Sequence, residues 1–202
     1  MYESSPKAAL FSGGTRVIAI AASTGGVETL EKIIPFFPAN VPPIALVQHM
    51  PPGLTRSFAT RLNLKYNISV KEAESGDILK QGQMLIAPGG KHMQIVNLQG
   101  NLAAKCFIGE RLHGVIPSAD ILFESVANVV QKNAIGVILT GMGADGARGL
   151  LMMRQNGAST IGQDKHTCCV YGMPKVAMNF GAVEYELPLE QIANKILSLA
   201  RR

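Results

Sequence analysis

Residues 18–26 read IAIAASTGG, an apolar run that ends on Ser23 and Thr24 and then breaks on two glycines. Carried back to Arg16 the run is RVIAIAA, with no alternation of polar and apolar positions. A strand of that kind is buried on both faces, which is the habit of parallel sheets. After the glycines, Val27, Leu30, Ile33 and Ile34 recur at helical spacing until Pro35 stops the helix. Strand, tight turn and helix in succession form the repeating unit of a wound α/β sheet.

The rest of the chain repeats that unit with one interruption. PIALVQH (43–49) predicts a second buried strand, and PPGLTRSFATRL (51–62) sets Leu54, Phe58 and Leu62 on one helical face. From 68 to 109 the character changes. ISVKEA, QMLIAPG, KHMQIV and LAAKCFI are short runs separated by Gly, Asp and Asn, the pattern of hairpins or a meander. PSADILFESVANVV (117–130) returns to helix with Ser118 as N-cap. AIGVILT (134–140) predicts another buried strand, and the turn GMGADG (141–146) leads into a helix that runs to about Asn156. ASTIGQD is a further strand, MPKVAMNF a short helix with Pro at its start, and a last helix begins at about Leu189. The alternation predicts an α/β fold: a doubly wound, mostly parallel sheet with helices on both faces and an antiparallel hairpin or meander insertion at about 68–109. Residues 1–15 carry Ser, Pro and Gly without periodicity and read as a tail or linker remnant, leaving 16–202 as one domain.

Composition narrows the function classes. At 202 residues and 47% hydrophobic the chain can fill a sizeable core. No apolar stretch approaches the ~20 residues that span a bilayer, and the N-terminus lacks the pattern of a signal peptide. The expectation is a cytoplasmic protein without membrane insertion. Cys106, Cys168 and Cys169 fit no disulfide framework, and no His/Cys spacing suggests a metal. The net charge of +5 is scattered, and 7 Phe, 4 Tyr and no Trp give no base-stacking surface, so a nucleic-acid partner is not expected. A mild positive field instead suits an acidic protein partner. Neither GxGxxG nor GxxxxGK[ST] occurs, so no nucleotide cofactor is expected.

In an open parallel sheet, ligands bind beyond the carboxyl ends of the strands. Ser23 and Thr24 follow the first strand, His49 the second, Asp145 lies in the loop after AIGVILT, and Asp164 and His166 follow ASTIGQD. A serine becomes a useful nucleophile when an imidazole takes its proton and a carboxylate orients that imidazole. Ser23, His49 and Asp145 supply such a set, with Asp164 a rival for the acid and His166 for the base. Asp77 and Asp120 are poorer placed. Each residue also has a plainer role: Ser23 as an N-cap, His49 as a strand-end histidine, Asp145 as a brace of the GADG turn. The GxSxG elbow is absent, since Ala21 and Gly25 flank Ser23. STGG would also wrap a flavin phosphate, although few aromatics are available to stack on the ring. The residues alone give a serine-hydrolase-like site with its substrate open.

Six blocks add a resemblance. IAIAASTGG, QHMPPGLTRSFATRL, APGGKHM, PSADILFESVA, GVILTGMGADGARGL and VYGMPKVAM occur in this order. Together they resemble the catalytic domain of the bacterial chemotaxis receptor methylesterases, the protein-glutamate methylesterase family, from about Arg16 to the last helix. The resemblance implies a serine hydrolase that removes methyl groups from glutamyl esters on chemoreceptor signalling helices, releases methanol, and deamidates certain receptor glutamines. It implies Ser23 as nucleophile, His49 as base and Asp145 rather than Asp164 as acid. It further implies that Met142 offers a backbone N–H to the oxyanion and that Thr24 lies in the same site. The implied partners are the cytoplasmic helices of methyl-accepting chemotaxis receptors. Members of this family usually carry an N-terminal receiver domain over the active site; residues 1–15 are too short to fold as one. The segment GQDKHTCCVYGMP (162–174) departs from the family pattern with two cysteines and a histidine. The rival class is a non-catalytic flavin- or phosphate-binding or receptor-docking module.

Overall fold

The computed structural model describes residues 16–201, so the reading of residues 1–15 as a tail lies outside the described residues. The strands in chain order are β1 (Val17–Ala22), β2 (Ile44–Gln48), β3 (Ser69–Glu72), β4 (Gln83–Ile86), β5 (His92–Leu98), β6 (Asn101–Phe107), β7 (Ala134–Ile138), β8 (Ser159–Gln163) and β9 (Tyr185–Leu187). Seven of them form one sheet in the order β3-β4-β2-β1-β7-β8-β9, and every pairing in it is parallel. β5 and β6 pair separately as an antiparallel hairpin.

The helices are α1 (Gly26–Ile33), α2 (Leu54–Lys65), α3 (Ala119–Val129), α4 (Ala147–Gln155), α5 (Met173–Asn179) and α6 (Leu189–Ala200). Pro35 ends α1 as expected, inside a short 3-10 turn at Ile34–Phe36. β1 shows how the two layers are fed. Val17, Ala19 and Ala21 join a core with α3, α4, α5 and the hairpin; Ile18, Ile20 and Ala22 join a second core with α1, α2 and α6. All six are fully buried, which is why the strand carries no polar alternation.

The doubly wound class is as the sequence indicates, but the antiparallel part is narrower than 68–109. β3 and β4 belong to the parallel sheet, and only 92–107 is antiparallel. The link at 73–82 explains the misreading. It contains no helix, so two parallel strands separated by it look like a hairpin. Parallel neighbours need a crossover, and this one is steadied along β6 instead: Leu79 donates to the Leu102 carbonyl and Ala104 to the Asp77 carbonyl, each at 2.8 Å. β9 was not anticipated, because three residues at a sheet edge, with only Glu186 exposed, carry no period.

Phe123 is the largest fully buried side chain among the described residues and sits where α3 meets α4. A Cβ placed on Gly149 would lie 2.7 Å from the Phe123 Cβ, so glycine at 149 is what lets the two helices approach. Phe123→Ala is expected to cost about 3–5 kcal/mol, read as a lower denaturant midpoint at unchanged slope.

From β1 the chain winds toward β2, whereas β7 lies on the other side of β1. The winding therefore reverses between β1 and β7, and the carboxyl ends of those strands frame the crevice where such sheets hold ligands.

Candidate active site

The backbone brings Ser23, His49 and the loop after β7 to one edge. Ser23 N–H donates to the Thr140 carbonyl at 3.0 Å and His49 N–H to the Ala22 carbonyl at 3.1 Å, extending the ladder past the strand ends. Ser23 Cβ rests over Gly141: a Cβ there would lie 2.7 Å from it and 2.3 Å from Met173 Sδ. The plain capping role for Ser23 does not hold. The N-cap of α1 is Gly25, with φ 79° and no side-chain cap bond. Ser23 is half-buried, and its Oγ has no hydrogen-bond partner among the described residues.

His49 Nε2 lies 2.8 Å from Asp145 Oδ2, with side chains only 10% and 3% exposed. Asp145 is itself gripped by the start of α3. Ser118 Oγ donates to Oδ1 at 2.6 Å, Ala119 N–H to Oδ2 at 2.6 Å, and Asp120 N–H to Oδ1 at 3.2 Å. Ser118 does occupy the N-cap position, but its hydroxyl serves Asp145, and Asp145 supplies the cap from a distant loop. Burial alone would raise the Asp145 carboxyl; the bonds from His49, Ser118 and Ala119 outweigh it and hold the group below its ordinary value. An ionised Asp145 accepts a proton-bearing Nε2. His49 Nδ1 is then the ring nitrogen left with a lone pair for Ser23.

The structure thus joins His49 to Asp145 and sets Ser23 beside them without an Oγ–imidazole bond. A hydroxyl without a hydrogen-bond partner can change rotamer, and such bonds often close only around substrate. Asp164, the rival acid, is occupied in its own turn: its Oδ1 accepts from Thr167 N–H at 2.9 Å and from Thr167 Oγ1 at 2.6 Å. His166, the rival base, is exposed on that loop.

With this geometry, sequence comparison is decisive. The family model described as CheB methylesterase matches residues 18–196. This chain belongs to the CheB methylesterase family. It is 50% identical over 199 residues to a protein-glutamate methylesterase/protein-glutamine glutaminase of Sulfurimonas denitrificans, covering 98% of this chain and 56% of that protein. It is 51% identical over 192 residues to the Agrobacterium fabrum protein of the same name, covering 94% of this chain and 54% of that one. The chain therefore spans about half the length of the curated relatives it matches. The crystal structure of the Thermotoga maritima CheB methylesterase catalytic domain superposes with a TM-score of 0.89 at 39% identity, covering 92% of this chain and 98% of that one.

In this CheB family member, Met142 and Thr24 flank Ser23. The Met142 side chain is 75% exposed, and its N–H has no hydrogen-bond partner among the described residues. The loop is pinned just before it, where the Gly141 carbonyl accepts from Gly172 N–H at 3.1 Å and Met173 N–H at 2.8 Å. Thr24 is exposed, and its carbonyl accepts from Thr140 Oγ1 at 3.0 Å.

Sequence reasoning missed the supports. Gln48 and Gln163 are the last residues of β2 and β8, and both are buried. Gln48 Nε2 donates to the Ser23 carbonyl at 2.9 Å, while its Oε1 has no partner and lies over Gly26. Gln163 Oε1 accepts from Thr140 N–H at 2.9 Å and Nε2 donates to the Thr167 carbonyl at 2.9 Å. A glutamine ending an otherwise apolar strand was the available signal. His113, Asp120 and Asp145 also bring ligand-type atoms within 4.8 Å of one another. Those atoms already serve the protein: Asp120 accepts from His113 Nε2 (2.9 Å) and from Gly149 N–H (2.8 Å), and Asp145 holds the contacts above. Of the two adjacent cysteines, Cys168 is half-buried and burial pushes its thiol up to about 12. Cys169 is exposed and its Cβ rests against Gly25, in the turn that follows Ser23.

Proposed function

We propose that this chain is a protein-glutamate methylesterase with protein-glutamine deamidase activity, acting in the cytoplasm on the helices of methyl-accepting chemotaxis receptors. The observation that carries the reading is the His49–Asp145 pair set beside Ser23 at the β1/β7 crevice, in a chain of the CheB methylesterase family.

The chemistry follows from the atoms. Ser23 Oγ attacks the ester carbonyl as His49 Nδ1 takes its proton. The carbonyl oxygen becomes an oxyanion and turns toward the Met142 and Thr24 N–H groups; one such donor is worth about 3 kcal/mol in related sites. The Oγ proton, now on Nδ1, passes to the departing methoxide, which leaves as methanol. Water then attacks the acyl-enzyme through the same base, releasing a glutamate side chain and restoring Ser23. Asp145 remains ionised throughout and stabilises the transient imidazolium. With a glutamine substrate the same steps expel ammonia. In longer relatives of the family, a receiver domain joined ahead of residue 16 would control access to this edge.

The test is incubation with a radiomethylated receptor signalling domain and measurement of volatile methanol. Release that depends on Ser23 supports the reading. A yellow preparation that releases no methanol would favour the flavin-binding module instead.

A further inference from the structure

A cleft of about 290 Å3 opens from His49. Met50, Pro51 and Pro52 line one part of it, and Arg111, Val115 and Ile116 another. Apart from the catalytic imidazole, Arg111 brings the only ionisable side chain to a lining that is otherwise mostly apolar. Its guanidinium makes one long bond, from NH1 to the Gly114 carbonyl at 3.3 Å, and meets no carboxylate within ion-pair distance among the described residues. Arg56 and Arg61 are paired, with Glu72 and Glu31, and Arg154 is tied to the Gly181 and Val183 carbonyls.

The loop that carries Arg111 is fixed at several points. At its start His92, buried in β5, donates from Nε2 to the Glu110 carbonyl at 2.8 Å; the other ring nitrogen accepts Ser118 N–H at 3.1 Å. Leu112 and Val115 exchange both backbone hydrogen bonds, and His113 Nε2 meets Asp120 at 2.9 Å. Arg111 is therefore presented to the cleft from a braced loop whose anchors also grip the helix that holds Asp145.

We infer that Arg111 is a specificity-determining residue, which binds a carboxylate of the substrate polypeptide next to the ester under attack. The inference rests on the methylesterase reading of the site. A planar guanidinium takes a carboxylate through two parallel hydrogen bonds. The reaction itself creates such carboxylates, since each cleaved ester or amide leaves one behind. A polypeptide with several modified glutamates therefore becomes a better substrate as its neighbouring sites are processed.

The experiment uses two helical peptides, each with one γ-methyl glutamate, flanked on the same face by Glu in one and by Gln in the other. kcat/KM is measured for both with the unsubstituted chain, Arg111→Ala, Arg111→Lys and Lys132→Ala. Lys132 is exposed just before β7, at the amino end of the sheet, and controls for loss of overall charge. The preference for the acidic peptide is expected to fall roughly five- to tenfold in Arg111→Ala, chiefly through KM, and less in Arg111→Lys. Salt should erode the preference of the unsubstituted chain toward that of Arg111→Ala. An unchanged preference in Arg111→Ala, or an equal fall in Lys132→Ala, would overturn the assignment while leaving the esterase intact. Failure of the unsubstituted chain to hydrolyse either peptide would remove the methylesterase reading, and Arg111's role with it.

Discussion

Ser23→Ala is expected to lower methanol release by roughly 10⁵- to 10⁶-fold and to leave the fold in place. The two halves of that statement come from different observations. The loss follows from chemistry, since the attacking oxygen of the proposed mechanism is removed. The retention of fold follows from bonding. Ser23 Oγ makes no hydrogen bond to a described residue, while its backbone N–H, held by the Thr140 carbonyl, survives the change. Unfolding in denaturant should therefore shift by no more than ~0.5 kcal/mol, the range of a substitution that breaks no internal contact. Near-normal turnover would take Ser23 out of the mechanism. A variant that unfolds would show that the hydroxyl has a structural partner and is not held in reserve.

Asp145→Asn is expected to cost about 10⁴ in turnover, the loss seen when a triad carboxylate is made neutral. Unlike the serine change, it should also reach stability. Each Asp145 oxygen accepts a backbone N–H, Ala119 on Oδ2 and Asp120 on Oδ1. An amide has one carbonyl, so whichever way it turns, its NH₂ group faces one of those donors. Burying that clash is destabilising at any pH. The native acid behaves differently with pH. Its folded value lies below the ordinary carboxylate value, so on acidification the unfolded chain takes up the proton first. The stability contributed by Asp145 is complete above the unfolded value of about 4 and disappears as pH falls through the folded value. Urea midpoints from pH 6 down to 3 should decline more steeply for the native chain than for Asp145→Asn. Asp164→Asn should leave turnover near normal, because its carboxylate serves only the Thr167 turn; a loss comparable to that of Asp145→Asn would exchange the two roles.

What was readable in the sequence was what is written locally. β1, β2 and β7 are continuous apolar runs because both faces are buried, and that signature survives without any knowledge of neighbours. The strand-end positions of Ser23 and His49 followed directly. The choice of acid did not: Asp145 and Asp164 both follow strands, and the resemblance to the methylesterases, not the spacing, favours Asp145. Two further features escaped for the same reason. β3 and β4 are parallel neighbours, with β4 between β3 and β2, a fact of topology that their short helix-free link hides. The cap on α3 comes from a residue 25 or more positions away, so a local reading credited Ser118, the right position with the wrong atom.

The clasp between Asp145 and α3 gives this protein an internal gauge. The amides of Ala119 and Asp120 end on the same carboxylate that His49 touches, so any change of charge on the imidazole alters the acceptor they see. Their proton chemical shifts and exchange rates become remote readouts of the state of the reacting edge, observable without a label on the substrate. A ligand that trapped His49 as imidazolium would register there, at the tip of a helix it never touches.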